Sequence, residues 1–239
     1  TRIGSSAASD VYKRQYLGYQ KLEVSDNPNI IISLKGEKNF CELGESDKSN
    51  FMKSNFKLNS YSEFNQVHSI LINGQDTSEN NKFDGFITKE KNHAFAIKTA
   101  DCIPLIMWDE TKEFLCGLHC GWKGLHQDII GKILEENKYQ SLTKAYIGPH
   151  ICKDHFEVKQ DLIDRFIQVD IDIEGYLSTR ENKIFMNLRQ LCVDELHEYG
   201  IEIHTKFSPC SYTENDLFFS WRRDPVSYTH LRAHETLSY

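Results

Sequence analysis

The hydrophobic pattern changes period several times along the chain, and each change marks an element. His93–Lys98 alternates Ala94, Ala96 and Lys98 against Phe95 and Ile97, the period of two expected of a half-buried strand. Ile103–Trp108 is continuously apolar, which predicts a central strand covered on both faces, and Glu113–His119 reads as another strand. From Trp122 the spacing lengthens. Leu125, Ile129, Ile130, Ile133 and Leu134 recur at helical intervals, so a helix is predicted to open there. Val158–Val169 predicts a helix with Val158, Leu162, Phe166 and Val169 on one face. Asn187–Tyr199 predicts another, with Leu188, Leu191, Cys192 and Leu196 inward and Gly200 placed to end it. Ser62–Ile72 reads as a strand interrupted at Gln66-Val67-His68, Phe83–Lys89 as a short strand or turn, Ala145–Ile147 as a short strand ending at Gly148-Pro149, and Ile201–Phe207 as an alternating strand. Residues 30–60 are polar and irregular, with short strands and one helix near Ser46–Phe56, and Gln75–Lys82 is a polar loop. Strands and helices do not alternate strictly. The expectation is therefore α+β, a single domain with mixed β-sheets flanked by helices, without repeats or an interdomain linker.

Composition narrows the class. The 239 residues are 39% apolar and 26% charged, ordinary for a globular protein able to bury a core. No apolar run approaches a membrane span, and no secretory signal is visible. The formal charge is −7; residues 1–15 contribute +2 and residues 226–239 contribute zero, leaving −9 for the body. An acidic balance disfavours nonspecific nucleic-acid binding, which depends on neutralising phosphates, but leaves room for a small phosphate substrate in a locally basic pocket. The seven cysteines are odd in number and lack framework spacing, which points to reduced thiols and a cytoplasmic setting. Cys116 and Cys120 lack the second pair that a zinc ribbon needs, and Cys116 and Cys192 fall on apolar faces as small core residues.

Three residues stand where strands would hand over to loops: His68, Cys102 and His119. Two imidazoles and a thiolate make a three-ligand metal set, which leaves one position for water or substrate. They lie 34 and 17 residues apart, so only the fold can bring them together. Taken alone, each has a plainer explanation: a strand-end histidine bonded to backbone, a buried free thiol, a surface histidine beside a turn. At His119 the following Gly121-Trp122-Lys123-Gly124 puts a turn and a cation at a helix start, a place suited to an anion. Asp101 either orients a ligand imidazole from outside the ligand set or caps a turn. His150, His155, His197 and His204 have no second ligand at suggestive spacing and read as structural or exposed. The chain has no Gly-x-Ser-x-Gly elbow, phosphate-binding P-loop, Gly-x-Gly-x-x-Gly, His-Glu-x-x-His or zinc nucleobase-deaminase signature.

Six words surround these residues in order: Asn65-Gln66-Val67-His68, Asp84-Gly85-Phe86-Ile87-Thr88, Thr99-Ala100-Asp101-Cys102-Ile103-Pro104-Leu105, His119-Cys120-Gly121-Trp122-Lys123-Gly124, Ile147-Gly148-Pro149-His150-Ile151 and Phe218-Phe219-Ser220-Trp221-Arg222-Arg223-Asp224. Over roughly residues 30–224 the chain resembles the YfiH-like, or laccase-domain, proteins, a family that includes purine nucleoside phosphorylases. The resemblance implies a fold likened to that of the cytotoxic necrotizing factor cysteine hydrolases. It implies His68, Cys102 and His119 as catalytic metal ligands, for Zn²⁺ or alternatively Cu²⁺. It implies phosphorolysis of purine nucleosides (adenosine, inosine, guanosine, methylthioadenosine), with adenosine deamination as a further family activity. Small-molecule nucleosides and phosphate are then the partners. Arg222 and Arg223 match the family's Ser-aromatic-Arg-Arg-Asp segment, where an arginine fork would hold phosphate or else form a surface ion pair; Lys123 is a further phosphate candidate. Cys210 with Tyr212 resembles a Cys-Thr-Tyr element, which borders the pocket or packs in the core.

Other chemistries compete. A copper oxidase acting on phenols fits the older family name, but blue-copper oxidases need many histidines and a His-Cys-His stretch, whereas this chain has ten histidines, two of them near its C-terminus. A cysteine hydrolase would use Cys102 as nucleophile and His119 as base. A non-enzymatic, metal-stabilised interaction module would need a fourth protein ligand.

The two ends do not resemble the body. Residues 1–15 read as a non-native leader and residues 226–239 as an adapter-derived tail, leaving 16–225 as the laccase-like domain, truncated at both ends. The family's apolar final strand is then expected to be missing. Its N-terminal Ser-Thr-Arg and Gly-Gly turn survive at most as a remnant at Ile30–Gly36, so no active-site arginine carries over from there.

Overall fold

Two six-stranded sheets carry the chain in a computed structural model that describes residues 12–16, 19–26, 29–35, 43–56, 58–111, 113–204, 208–225 and 234–238, with 12–26 and 234–238 described by their backbone alone. The first part of the chain forms β1 (Tyr12–Tyr16), β2 (Tyr19–Asp26), β3 (Asn29–Leu34), α1 (Glu45–Phe56), β4 (Ser60–Glu63), β5 (Ile72–Asn73) and β6 (Gly85–Thr88). Then follow β7 (His93–Thr99), β8 (Ile103–Asp109), β9 (Leu115–Cys120), α2 (Trp122–His126), α3 (Gly131–Leu134) and β10 (Leu142–Ile147). The rest comprises β11 (Glu157–Val158), α4 (Gln160–Gln168), β12 (Leu177–Arg180), β13 (Lys183–Met186), α5 (Leu188–Glu198), β14 (Glu202–His204) and β15 (His234–Ser238).

One sheet runs β1-β2-β3-β15-β7-β4 and the other β14-β10-β8-β9-β6-β5; a small third sheet runs β11-β13-β12. Pairing is mostly antiparallel, with parallel pairs at β4–β7, β5–β6 and β10–β14, so the sheets are mixed as expected. The continuous apolar run of β8 has a simple cause. Ile103, Leu105 and Met107 enter the core beneath α2–α5, while Ile106 and Trp108 enter the core between the two large sheets. β7 divides in the same way: Phe95 and Ile97 face the inter-sheet core, and Ala94 and Ala96 pack with Met52 of α1. Phe86 of β6 stacks on Phe95 with ring centroids 4.5 Å apart, tying the two sheets together directly below the strand ends that carry the site.

Several elements depart from the sequence expectation. Of the strand expected over Ser62–Ile72 only the ends are strand, in β4 and β5, and the irregular stretch between them carries His68. Val169, expected on the apolar face of a helix, follows the end of α4 and is exposed. The helix predicted from Trp122 is two short helices separated by a turn, because Asp128 adopts a left-handed φ of 57° and its carboxylate accepts the Gly131 N–H at 2.9 Å, capping α3 afresh. The apolar spacing persists across the break, so Leu125, Ile129, Ile130, Ile133 and Leu134 all remain in the core. The β12–β13 hairpin was not legible from periodicity; it turns at Glu181-Asn182, both with positive φ. At the C-terminal end β15 lies between β3 and β7 and pairs antiparallel with both. No helix among the described residues is long and apolar enough to cross a membrane.

Candidate metal centre and active site

The site assembles at the ends of the strands of the second sheet. His68 lies on the loop from β4 to β5, Cys102 immediately precedes β8, and His119 is the penultimate residue of β9, directly opposite Pro104 in the β8–β9 ladder. One donor atom from each of the three side chains lies within 4.8 Å of the others. Cys102 Sγ is 3.7 Å from His68 Nε2, and the two imidazole rings meet at 60° with centroids 4.7 Å apart. Donors bound tetrahedrally to one zinc ion would stand roughly 3.5 Å apart, given bonds of about 2.0 to 2.3 Å. The separation therefore fits a shared ion. His68 is exposed, Cys102 half-buried and His119 buried, so the group opens on one side.

Asp84 organises this arrangement. It is fully buried at the start of β6, and its carboxylate accepts a hydrogen bond from His119 Nδ1 at 2.8 Å. That bond keeps a proton on Nδ1 and makes Nε2 the nitrogen that would face a metal ion. The same carboxylate accepts the backbone N–H groups of Val67 (3.1 Å), His68 (2.9 Å) and Ser69 (2.6 Å) and the Ser69 hydroxyl (2.8 Å). Three successive amides converge on one anion because His68 takes a left-handed φ of 60°, curling the backbone into a nest. Two ligands from distant parts of the chain are thus held by one side chain.

Electrostatics favours a Cys102 thiolate paired with a protonated His119, whose Nε2 proton a metal ion would displace. Burial opposes a charged Asp84, but His119 and Ser69 outweigh it and keep the carboxyl below its usual range. Burial also opposes a Cys102 thiolate. The charge and hydrogen bond of His119, followed by those of His68, overcome it and bring the thiol down to about 6. Burial disfavours a charged His119 as well; the Cys102 thiolate and Asp84 prevail and raise the imidazole to about 9. A thiolate and two imidazoles suit zinc or copper in their softness and number.

Gly121 closes the wall behind Cys102. A Cβ built there would stand 2.9 Å from Cys102 Sγ and 3.2 Å from His68 Cδ2. Gly121→Ala must push the sulfur off its position, so zinc affinity is expected to fall by about tenfold or more, as when a ligand's supporting contact is lost. Competition against a chromophoric chelator measures this; an unchanged affinity would mean that the sulfur is free to move.

Asp101 does something other than orient an imidazole. It has φ of 97°, and its carboxylate accepts the Ser211 hydroxyl and the Arg222 N–H, each at 2.7 Å, while its carbonyl accepts the Ile151 N–H at 2.9 Å. It anchors the 208–225 segment beside Cys102; of the two readings of it, orienting an imidazole or holding a turn, the first falls to Asp84. The Arg223 guanidinium donates to the carbonyls of Ser211, Tyr212 and Phe218 and to the Asp224 carboxylate, so it clamps that segment and has no fork left for phosphate. Arg222 lies over Phe156 and donates to the Glu157 carbonyl at 2.7 Å. Lys123, at the exposed start of α2, has its ammonium 5.8 Å from the centroid of the Trp122 ring. Of the histidines expected to be structural, His150 is buried and bonds the Gly148 carbonyl, but His155 meets Cys152 and Cys210. That group has no signal in sequence spacing, because Cys152 and Cys210 are 58 residues apart.

The sequence profile of the family described as multi-copper polyphenol oxidoreductase laccase matches residues 45–229. A protein of Shigella flexneri named purine nucleoside phosphorylase YfiH is 30% identical over 134 residues, 55% of this chain and 55% of that protein. The chain thus spans about half the length of that relative. A protein of Rickettsia conorii named purine nucleoside phosphorylase RC0672 is 29% identical over 191 residues, 77% of this chain and 79% of its own. Among solved structures, protein NMB0706 of Neisseria meningitidis superposes with a TM-score of 0.72 at 20% identity, covering 96% of this chain and 99% of that one, a likeness of fold.

Proposed function

The chain belongs to the multi-copper polyphenol oxidoreductase laccase family, and from that premise we propose that it is a zinc-dependent purine nucleoside phosphorylase. The observation that carries the proposal is the convergence of His68, Cys102 and His119 with Asp84 behind them. The names of the Shigella and Rickettsia relatives supply the substrate class, a purine nucleoside. A bound zinc ion would supply a Lewis acid with one open position. The chain's own residues do the rest. Asp84 keeps a proton on His119 Nδ1, so Nε2 is the nitrogen that would face the ion. The nest at 67–69 holds His68 in register with it, and Gly121 leaves room for the thiolate. Lys123, exposed at the start of α2 three residues after β9, is the cation we assign to phosphate, since Arg223 is engaged with carbonyl groups.

A second proposal draws on one feature: Cys102, His119 and Asp84 also have the order of a nucleophile, a base and its orienting carboxylate. A single experiment separates the two. Adenosine and inosine are followed by chromatography with and without phosphate, on protein as purified, chelated, and chelated then returned to zinc or copper. Phosphorolysis predicts free base only with phosphate and metal, and a raised KM for phosphate in Lys123→Ala. Inosine formed from adenosine without phosphate would indicate deamination instead. Turnover that survives chelation would favour the thiol mechanism, and oxygen uptake on a phenol only with copper would favour an oxidase. No metal-dependent loss of nucleoside would remove the phosphorylase proposal.

A further inference from the structure

A second group of soft donors lies outside the site described above. Cys152 and His155 belong to the loop between β10 and β11, and Cys210 comes from the segment after β14. Their donor atoms all lie within 4.8 Å of one another. Cys152 Sγ is 3.2 Å from His155 Nδ1, and Cys210 Sγ is 3.8 Å from the same nitrogen. Tetrahedral zinc with bonds of about 2.0 to 2.3 Å would hold sulfur and nitrogen roughly 3.5 Å apart, so both distances bracket what an ion requires.

The backbone brings these donors together without the help of an ion. His150 and Cys210 form a parallel bridge; the Ser211 N–H donates to the His150 carbonyl at 2.9 Å and the His150 N–H to the Pro209 carbonyl at 3.3 Å. The His155 ring is oriented by stacking on Tyr212, with centroids 4.2 Å apart and planes 16° from parallel. The Cys152 N–H donates to Cys210 Sγ at 3.2 Å, a contact that favours a thiolate. A cavity of about 230 Å³ borders both thiols and is lined also by Lys153, Asn187, Arg189 and Gln190, leaving space for a water or a small anion as fourth ligand.

We propose that Cys152, His155 and Cys210 form a second metal site, separate from the first, that takes one Zn²⁺ ion. Two thiolates and an imidazole select zinc over the hard cations Mg²⁺ and Ca²⁺. The ion's place in the fold gives it a structural role. The loop that carries Cys152 also delivers the Ile151 N–H to the Asp101 carbonyl, and the segment that carries Cys210 delivers the Ser211 hydroxyl to the Asp101 carboxylate. Zinc here locks both supports of Asp101, the residue preceding Cys102.

The test uses the full chain, loaded with Zn²⁺ and, separately, with Co²⁺. Native protein should hold about two zinc equivalents by elemental analysis and Cys102→Ser about one, since three-ligand sets bind zinc stoichiometrically. Cobalt-loaded Cys102→Ser should retain the near-ultraviolet sulfur-to-cobalt charge-transfer band, and adding Cys210→Ser should remove most of it. Should the Cys210 variant fail to fold by circular dichroism, folded Cys102→Ser decides alone: bound metal with thiolate absorption supports the site, and metal-free protein overturns it. A Cys152–Cys210 disulfide by peptide mass in freshly purified, unreduced protein would also overturn it. Because the readout is stoichiometry and absorption in a variant lacking the first thiol, the result does not depend on whether the phosphorylase proposal holds.

Discussion

Asp84→Ala is expected to destabilise the protein by about 3–5 kcal/mol, the range for removing one partner of a buried charged network, and to weaken metal binding by about 10- to 100-fold. The two effects have different physical sources. The stability loss comes from orphaned donors: three backbone amides, the Ser69 hydroxyl and the His119 Nδ1–H all point at a carboxylate that would be gone. The affinity loss comes from a free His119 tautomer and from release of the strained turn at His68. Asp84→Asn separates them. The amide keeps the volume and one acceptor oxygen, so the thermal midpoint should recover part of the loss while zinc affinity stays low. The acid dependence follows the same logic. The Asp84 carboxyl is depressed in the folded protein, so its contribution to stability is present above the unfolded carboxyl pKa and is lost as pH falls through the lower, folded one. Thermal melts of the two variants and a chelator competition check all three statements; an alanine variant with native midpoint and native zinc affinity would show that Asp84 supports nothing.

Asp84 also illustrates what a single sequence conceals. Its word, Asp84-Gly85-Phe86-Ile87-Thr88, was visible in sequence, yet an acidic residue before a strand looks like any turn residue. Only the fold shows that its side chain points inward to receive a loop 15 to 17 residues earlier and a histidine 35 residues later. Asp101, adjacent to a candidate ligand, offered that role as one of two by proximity along the chain, whereas its positive φ lies in an irregular turn between β7 and β8 and its carboxylate meets Ser211 and Arg222, so adjacency is a poor guide to who touches whom. Strand and helix patterns were legible where one period ran unbroken, as in β7, β8 and α5. They failed where a local side-chain bond overrode the period, as at Asp128 between α2 and α3, and where both strands were half-exposed, as in the β12–β13 hairpin. The second cysteine group was invisible for a further reason: its donors come from two irregular loops, which carry no period at all.

In metal-free protein, alkylation of Cys102 by iodoacetamide should rise with pH around a midpoint near 6, well below that of an ordinary free thiol, which titrates at about 8.5. The sign is that of a depressed acid. The thiolate persists above the folded pKa and is lost as pH falls through it, so reaction at neutral pH should already be near its plateau. The rate at the plateau will be moderate, because a less basic thiolate is a weaker nucleophile; the midpoint, read by peptide mass at each pH, is the decisive quantity. The other cysteines among the described residues do not obscure it. Burial pushes Cys116, Cys120 and Cys192 up, and Cys152 is raised to about 11, while Cys210 is distinguished by its own peptide. His119→Asn tests the cause. With the imidazole charge gone, the burial that now opposes ionisation dominates, and the midpoint should climb past that of a free thiol. Zinc added back to the native protein at neutral pH should slow the reaction of Cys102, since the ion draws charge from the sulfur and lowers its nucleophilicity. If the native midpoint lies instead at an ordinary thiol value and does not move when His119 is replaced, the sulfur and the ring are not partners, and neither a metal held between them nor a thiol activated by that ring can be the chemistry of this site.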